Sequence, residues 1–452
     1  MNIETHIVYP TSKHNRPAPP LKIKTHGLDI LGSPIQIKNH RFFHKSTKSF
    51  SDVIDVLKCS LAEALELYLP IAGCIQTTEE GDIYVVVDPD QFKGTPFIVE
   101  IKDIPYTVET EDLGPRDEVL LPDDASLLAV KVTQFSCGTI VVASSINHRV
   151  TDLSGYTDFL ELWALIARGE TVDYTRLPDD WTRQPAKYFP TIDKEPTPPP
   201  PFEVLSSPQL GPPAYLLVPS VVTRWSIKKD AMAQLKHDFS PKDDAEWISS
   251  GDALASLICG AITRARQAGN IVRLEGRSSE ASQNEKIAMA ADGRERATNG
   301  TMKYLGNFNC LWSLDASRED LLSPTSESGG RIALAIRKGL QCELSPEAIA
   351  NKIAFFESPQ NMQPPGRVAW SADLILTNWS RFDLQGASLD FGWGKPFLAT
   401  SGVGGSFPPG YSVMTQNKET GDFSILVTVE HAGDEAIRAD VLMNKYASLV
   451  LV

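Results

Sequence analysis

The stretch from Pro190 to Pro213 constrains the fold more than any other. It carries Pro196, the unbroken run Pro198–Pro199–Pro200–Pro201, Pro208, Pro212 and Pro213. Proline fixes φ and removes a backbone donor, so such a stretch can neither continue a helix nor lie inside a sheet. It reads as extended, exposed chain. A chain of 452 residues is already too long for one ordinary core. The prolines say where it divides: a first domain over residues 1–189, a linker over 190–215 and a second domain over 216–452.

Composition narrows the class. An apolar content of 42% and a mean hydropathy of −0.16 suit a globular protein in water. A net charge of −14 without any basic block argues against nucleic acid as a partner. No apolar stretch reaches signal-peptide or membrane length, so we expect no membrane contact and a cytoplasmic location. Cys59, Cys74, Cys137, Cys259, Cys310 and Cys342 are scattered. They form no Cys-x-x-Cys pair and no zinc-like spacing with histidine, so they read as reduced thiols, and no metal is expected.

Both halves mix strand and helix patterns, which predicts an α/β fold. In the first half, Val53, Ile54, Leu57, Leu61, Ala64 and Leu65 recur at helical spacing, with Ser51 as a cap, and Ile83–Val87 is a strand. Residues 21–31 read as a short strand and turn. In the second half, Val221–Ile227 and Lys286–Ala291 read as strands. Ser249–Ser250–Gly251–Asp252 opens a helix that ends near Arg264 and Arg266. Further helices are expected near Asp230–Lys236 and over Arg331–Leu340, and a polar loop over 273–284.

The chemistry concentrates where one period gives way to another. Thr139–Ile146 is rich in β-branched and small residues and reads as a buried strand. From Tyr156 on, Phe159, Leu160, Trp163 and Ile166 follow a helical period, with Ser154 as the expected N-cap and Gly169 as the stop. His148 falls between the two, at a strand end, where a side chain stands at the rim of a core. Asp152 follows four residues later. A neutral imidazole there suits proton abstraction near neutral pH. No Gly-x-Ser-x-Gly elbow and no cysteine placed as a nucleophile accompany it, so no covalent intermediate is expected.

The arrangement His148-x-x-x-Asp152 resembles the catalytic motif of the BAHD acyltransferases, which are acyl-CoA-dependent. Asp390–Phe391–Gly392–Trp393–Gly394 matches the second hallmark of that family unaltered. Weaker likenesses fill the intervals: Leu69–Pro70–Ile71–Ala72–Gly73, Asp292–Gly293–Arg294 and Tyr304–Leu305–Gly306–Asn307–Phe308. Two departures stand out. Leu153 replaces the glycine that follows the motif aspartate in many members. Asn147 precedes His148, unlike the paired histidines of peptide-synthetase condensation domains.

The resemblance implies a fold of two similarly sized domains of mixed β-sheet with flanking helices, like chloramphenicol acetyltransferase, with an active-site channel between them. It implies transfer of an acyl group from acyl-CoA to a hydroxyl or amine of a small, specialised metabolite, with no permanently bound cofactor. His148 is then the general base. Thr377 and Trp379 are the candidate donors to the oxyanion. Asp152 turns from the cleft to pair with Arg294, although a triad-like bond from Asp152 to His148 is the alternative. Asp390 to Gly394 is structural, and the segment near 390–415 packs back on the first domain. Arg264 and Arg266 are candidates for the CoA phosphates, or else simply suit the end of their helix. Arg367 is a candidate for an acceptor carboxylate. The partners expected are acyl-CoA and a small acceptor, and the chain is expected to be a monomer. Two rivals remain: a non-catalytic binding protein of the same fold, and a CoA-thioester hydrolase.

Overall fold

The computed structural model describes residues 2–11, 21–30, 35–107, 113–118, 120–178, 181–209, 218–243, 245–271, 283–300, 302–363, 365–370, 372–401 and 407–450. The predicted loop over 273–284 and the proline pair Pro212–Pro213 lie almost wholly or wholly outside them.

The chain forms two compact units. Unit 1 takes Met1–Tyr188 together with two later pieces, Asn299–Phe308 and Leu384–Gly405; unit 2 takes Phe189–Thr298, Asn309–Asp383 and Ser406–Val452. Residues 299–308 join unit 1 although they lie deep in the second half of the sequence. The hydrogen bonds described below show what holds them there.

Unit 1 is built on a six-stranded mixed sheet. Its order is Asn2–Val8, Thr95–Lys102, Leu128–Phe135, Ile140–Asn147, Gln36–Phe43 and Leu398–Thr400. We label Gln36–Phe43 β1 and Ile140–Asn147 β2. They pair antiparallel from Gln36 opposite Asn147 to Phe43 opposite Ile140. Every residue of β2 is buried, as its unbroken run of small and β-branched residues requires of a central strand. Helix α1 (Phe50–Leu67) is capped by Ser49, two residues earlier than the expected Ser51, because its hydroxyl accepts from the Asp52 amide. Helix α2 (Leu153–Ala167) buries Tyr156, Phe159, Leu160 and Trp163, the stripe visible in the sequence.

Unit 2 carries a seven-stranded mixed sheet, ordered Asn309–Ser317, Asn284–Asp292, Leu374–Asn378, Tyr411–Gln416, Phe423–Glu430, Ser220–Ile227 and Ser448–Val450. Helix α3 (Ser250–Ala268) packs on it, opened by a reciprocal capping box between Ser249 and Asp252. The expected helix over Arg331–Leu340 is longer, Ser326–Glu343. The proline stretch is not wholly without structure: Phe202–Val204 pairs antiparallel with Val368–Trp370. Three residues between proline clusters suffice for a two-stranded ribbon, since an edge pairing needs only alternate donors.

Candidate active site

Strand β2 ends at Asn147, and the chain turns at once: the Val150 amide donates to the Asn147 carbonyl at 3.0 Å. The His148 amide still donates to Ile35 at 2.9 Å, so its backbone is held by the sheet while its half-buried side chain leaves it. Arg149 turns aside to Asp123, at 3.1 Å.

Asp152, not Ser154, caps α2. Its Oδ1 accepts from the Ser154 amide at 3.1 Å and the Gly155 amide at 3.2 Å. The helix starts at Leu153 because an aspartate in extended conformation satisfies the orphan amides of the first turn better than a serine inside that turn. Its Oδ2 accepts from the Phe308 amide at 2.7 Å. The carboxylate thus staples the segment 304–308 to the start of α2.

His148 finds a different partner. Its Nδ1 lies 2.8 Å from Asn307 Oδ1. The orientation of that amide is over-determined. Asn307 Nδ2 donates to the His148 carbonyl at 2.7 Å and to Asp29 Oδ1 at 3.0 Å. Asn307 Oδ1 therefore faces the ring as an acceptor, and Nδ1 must carry the proton. Nε2 is left with its lone pair, the form a general base needs. Asn307 is fully buried, as is Asp29, which also accepts from the Asn307 amide at 2.7 Å. An ordered chain Asp29–Asn307–His148 results, all within unit 1.

Sequence reasoning singled out the Tyr304–Phe308 segment as a resemblance without a role for Asn307, and passed over Asp29. The available signal was Gly306. A Cβ there would stand 2.2 Å from Arg183 Nη1 and 2.7 Å from the Tyr304 ring. Only glycine lets the backbone lie that close.

Asp390–Gly394 lies at the other end of α2. Asp390 Oδ1 accepts from the amides of Gly392, Trp393 and Gly394 at 2.7, 3.1 and 2.9 Å, a tight loop made possible by φ of +102° and +114° at the two glycines. Arg168, the C-cap of α2, donates to the carbonyls of Ser388 and Asp390. Phe391 is fully buried between Trp163, at 4.8 Å, and Phe43, at 5.9 Å between ring centroids. With 15 residues in α2, this anchor is about 20 Å of helix away from Asp152.

The remaining candidates belong to unit 2. On the strand Leu374–Asn378, β3, the Thr377 hydroxyl oxygen accepts from Trp379 Nε1 at 3.1 Å. That bond orients the hydroxyl and leaves its own proton to give. Arg264 and Arg266 are already engaged. Arg264 grips Asp440 through two bonds of 2.6 and 2.9 Å, and Arg266 meets Glu430 at 3.1 Å and the Asp373 carbonyl at 2.7 Å. A phosphate at either arginine would have to displace its buried carboxylate partner. Arg294 Nη1 donates to Asp292 at 3.1 Å. Arg367, half-buried, gives Nη1 to the Gln363 carbonyl at 3.3 Å, while its buried Nε meets no acceptor among the described residues.

Comparison with known proteins bears on the whole chain. Residues 2–441 match the family model described as Transferase family. The sequence is 25% identical to a hydroxycinnamoyltransferase of Narcissus pseudonarcissus, over 97% of this chain and 98% of that one. It is 24% identical to anthranilate N-benzoyltransferase protein 1 of Dianthus caryophyllus, over 86% and 85%. Among solved structures, TRI101 of F. graminearum complexed with ethyl coenzyme A superposes with a TM-score of 0.74 at 17% identity, covering 95% of this chain and 100% of that one. Vinorine synthase superposes with a TM-score of 0.66 at 20% identity, covering 98% of each.

Proposed function

Because this chain belongs to the BAHD family of acyl-CoA-dependent acyltransferases, with their chloramphenicol acetyltransferase-like fold, we propose that it moves an acyl group from acyl-CoA to a hydroxyl or amine of a small metabolite, with His148 as general base. The observation that carries the assignment is the bond from His148 Nδ1 to Asn307 Oδ1 at 2.8 Å. It presents Nε2 as the proton acceptor.

The steps balance with one base. The acceptor O–H or N–H proton passes to Nε2 as the new bond to the thioester carbon forms. Negative charge collects on the thioester oxygen and needs a preorganised donor. The Thr377 hydroxyl, aligned by Trp379, is the donor assigned by similarity to the family. Collapse breaks the carbon–sulfur bond, and the imidazolium returns its proton to the CoA thiolate. A thioester is already activated and a thiolate leaves readily, so no acyl-enzyme is required. Asp152 takes no part in proton transfer; its two oxygens are committed to backbone amides.

The relatives' names cover hydroxycinnamoyl and benzoyl groups, and both a fatty alcohol and anthranilate. A panel of aromatic acyl-CoAs with hydroxyl and amine acceptors is therefore the first assay, read as free CoA thiol together with acylated product. Replacement His148→Ala should leave the fold intact and lower kcat by roughly 10²–10⁴, the usual worth of a general base. Near-normal turnover in that variant removes His148 from the mechanism. Thiol release with no acceptor present identifies a thioester hydrolase instead.

A further inference from the structure

Arg183 lies outside every motif, in the segment that follows α2, yet its side chain is only 2% exposed. Three of the pieces that form the base converge on it. Its Nη2 donates to the Val150 carbonyl at 2.8 Å, inside the His148–Asp152 turn. Its Nε stands 3.9 Å from Asp29 Oδ2, and Asp29 is fully buried. Its Nη1 lies under Gly306, where no Cβ fits, and the guanidinium centre is 5.7 Å from the Tyr304 ring centroid. All four segments belong to unit 1.

The charges in this cluster are few. Asp29 accepts from the His26 amide at 2.9 Å and from both nitrogens of Asn307. His26 is kept neutral by burial. Arg183 is then the cation beside the buried Asp29 carboxylate, and its loss would leave that charge buried without a counter-charge at Oδ2. A buried charge without its counter-ion repacks toward solvent, and with it moves Oδ1, the oxygen that holds both nitrogens of Asn307. The Asn307 side chain would then keep only the His148 carbonyl to fix which of its ends faces the ring.

We propose that Arg183 is a positioning residue for the reaction: by bracing Asp29 and the Val150 carbonyl it holds Asn307 in the orientation that keeps the His148 proton on Nδ1. The inference rests on the reading of His148 as the base. It assigns Arg183 no contact with substrate. A planar guanidinium can serve the Val150 carbonyl, the Asp29 carboxylate and the Tyr304 ring at once, and the point charge of a lysine cannot serve all three.

The test uses the full chain with uniformly ¹⁵N-labelled histidine and the variants R183K and R183Q. The His148 ring is assigned by its loss in H148A. In the parent protein the ring nitrogens should report one tautomer, protonated at Nδ1. R183Q should show a mixture of tautomers, with kcat lowered about tenfold or more and KM for acyl-CoA unchanged. R183K keeps the charge near Asp29 and should recover the single tautomer and part of kcat. If R183Q instead keeps the single tautomer, or loses only thermal stability or KM, Arg183 is a packing residue and the inference falls. A variant H148A with normal turnover would be a different failure, that of the base assignment itself. R183K provides the measurement should R183Q fail to fold, because a lost tautomer preference in R183K with kcat intact would equally overturn the proposal.

Discussion

His26 offers a sharp test of how the buried site is held together. It is 5% exposed, and its Nδ1 accepts from the Leu28 amide at 3.1 Å. Its own amide donates to Asp29. Burial pushes its pKa from 6.5 down to about 4; Asp29 pulls it upward, and Arg183 adds to the lowering. The sign follows from proton counting. Between pH 4 and pH 6.5 the unfolded chain binds a proton that the folded one refuses, so stability falls as pH drops through that window. Above the unfolded value the penalty is absent. With those two pKa values, lowering pH from 7 to 5 should cost about 2 kcal/mol. Urea unfolding at a series of pH values measures it. The substitution His26→Asn supplies an amide oxygen for Leu28 and removes the titration, so its stability should be flatter across this window by about that amount. Parallel curves for the two proteins would refute the argument, since they would mean that His26 protonates equally in both states.

Two further outcomes are expected. Asp152→Ala leaves the amides of Ser154, Gly155 and Phe308 without their acceptor, so it should lower stability by about 1–2 kcal/mol and activity with it; a thermal melt beside a turnover assay checks whether both fall. Arg367→Ala should raise KM for an acceptor that carries a carboxylate and spare neutral acceptors, and equal effects on both would end its candidacy.

Much of this architecture is legible in the amino-acid order because it is local. The run of small and β-branched residues Thr139–Ile146 reads as a buried strand, and all but its first residue lie in the fully buried β2. The stripe from Tyr156 to Trp163 can only be one face of a helix. Asp390–Phe391–Gly392–Trp393–Gly394 encodes its own loop, because one aspartate side chain binds three following amides and two glycines supply the positive φ. His148 at the strand-to-helix switch belongs to this class: its position follows from a change of period.

Tertiary structure alone decided what His148 touches. The sequence places Asp152 four residues away, which suggests a carboxylate for the imidazole. The folded chain gives that carboxylate to the amides of α2 and Phe308, and brings Asn307 to the ring from 159 residues further along. Asp29 reaches Asn307 across 278 residues. Arg264 and Arg266 stand where cations suit a helix end, but Asp440 and Glu430 arrive from distant elements to claim them. The physical reason is the same in each case. Periodicity and capping are properties of neighbours along the chain, whereas a buried polar atom takes whichever partner the packing delivers, and that partner leaves no trace in the spacing.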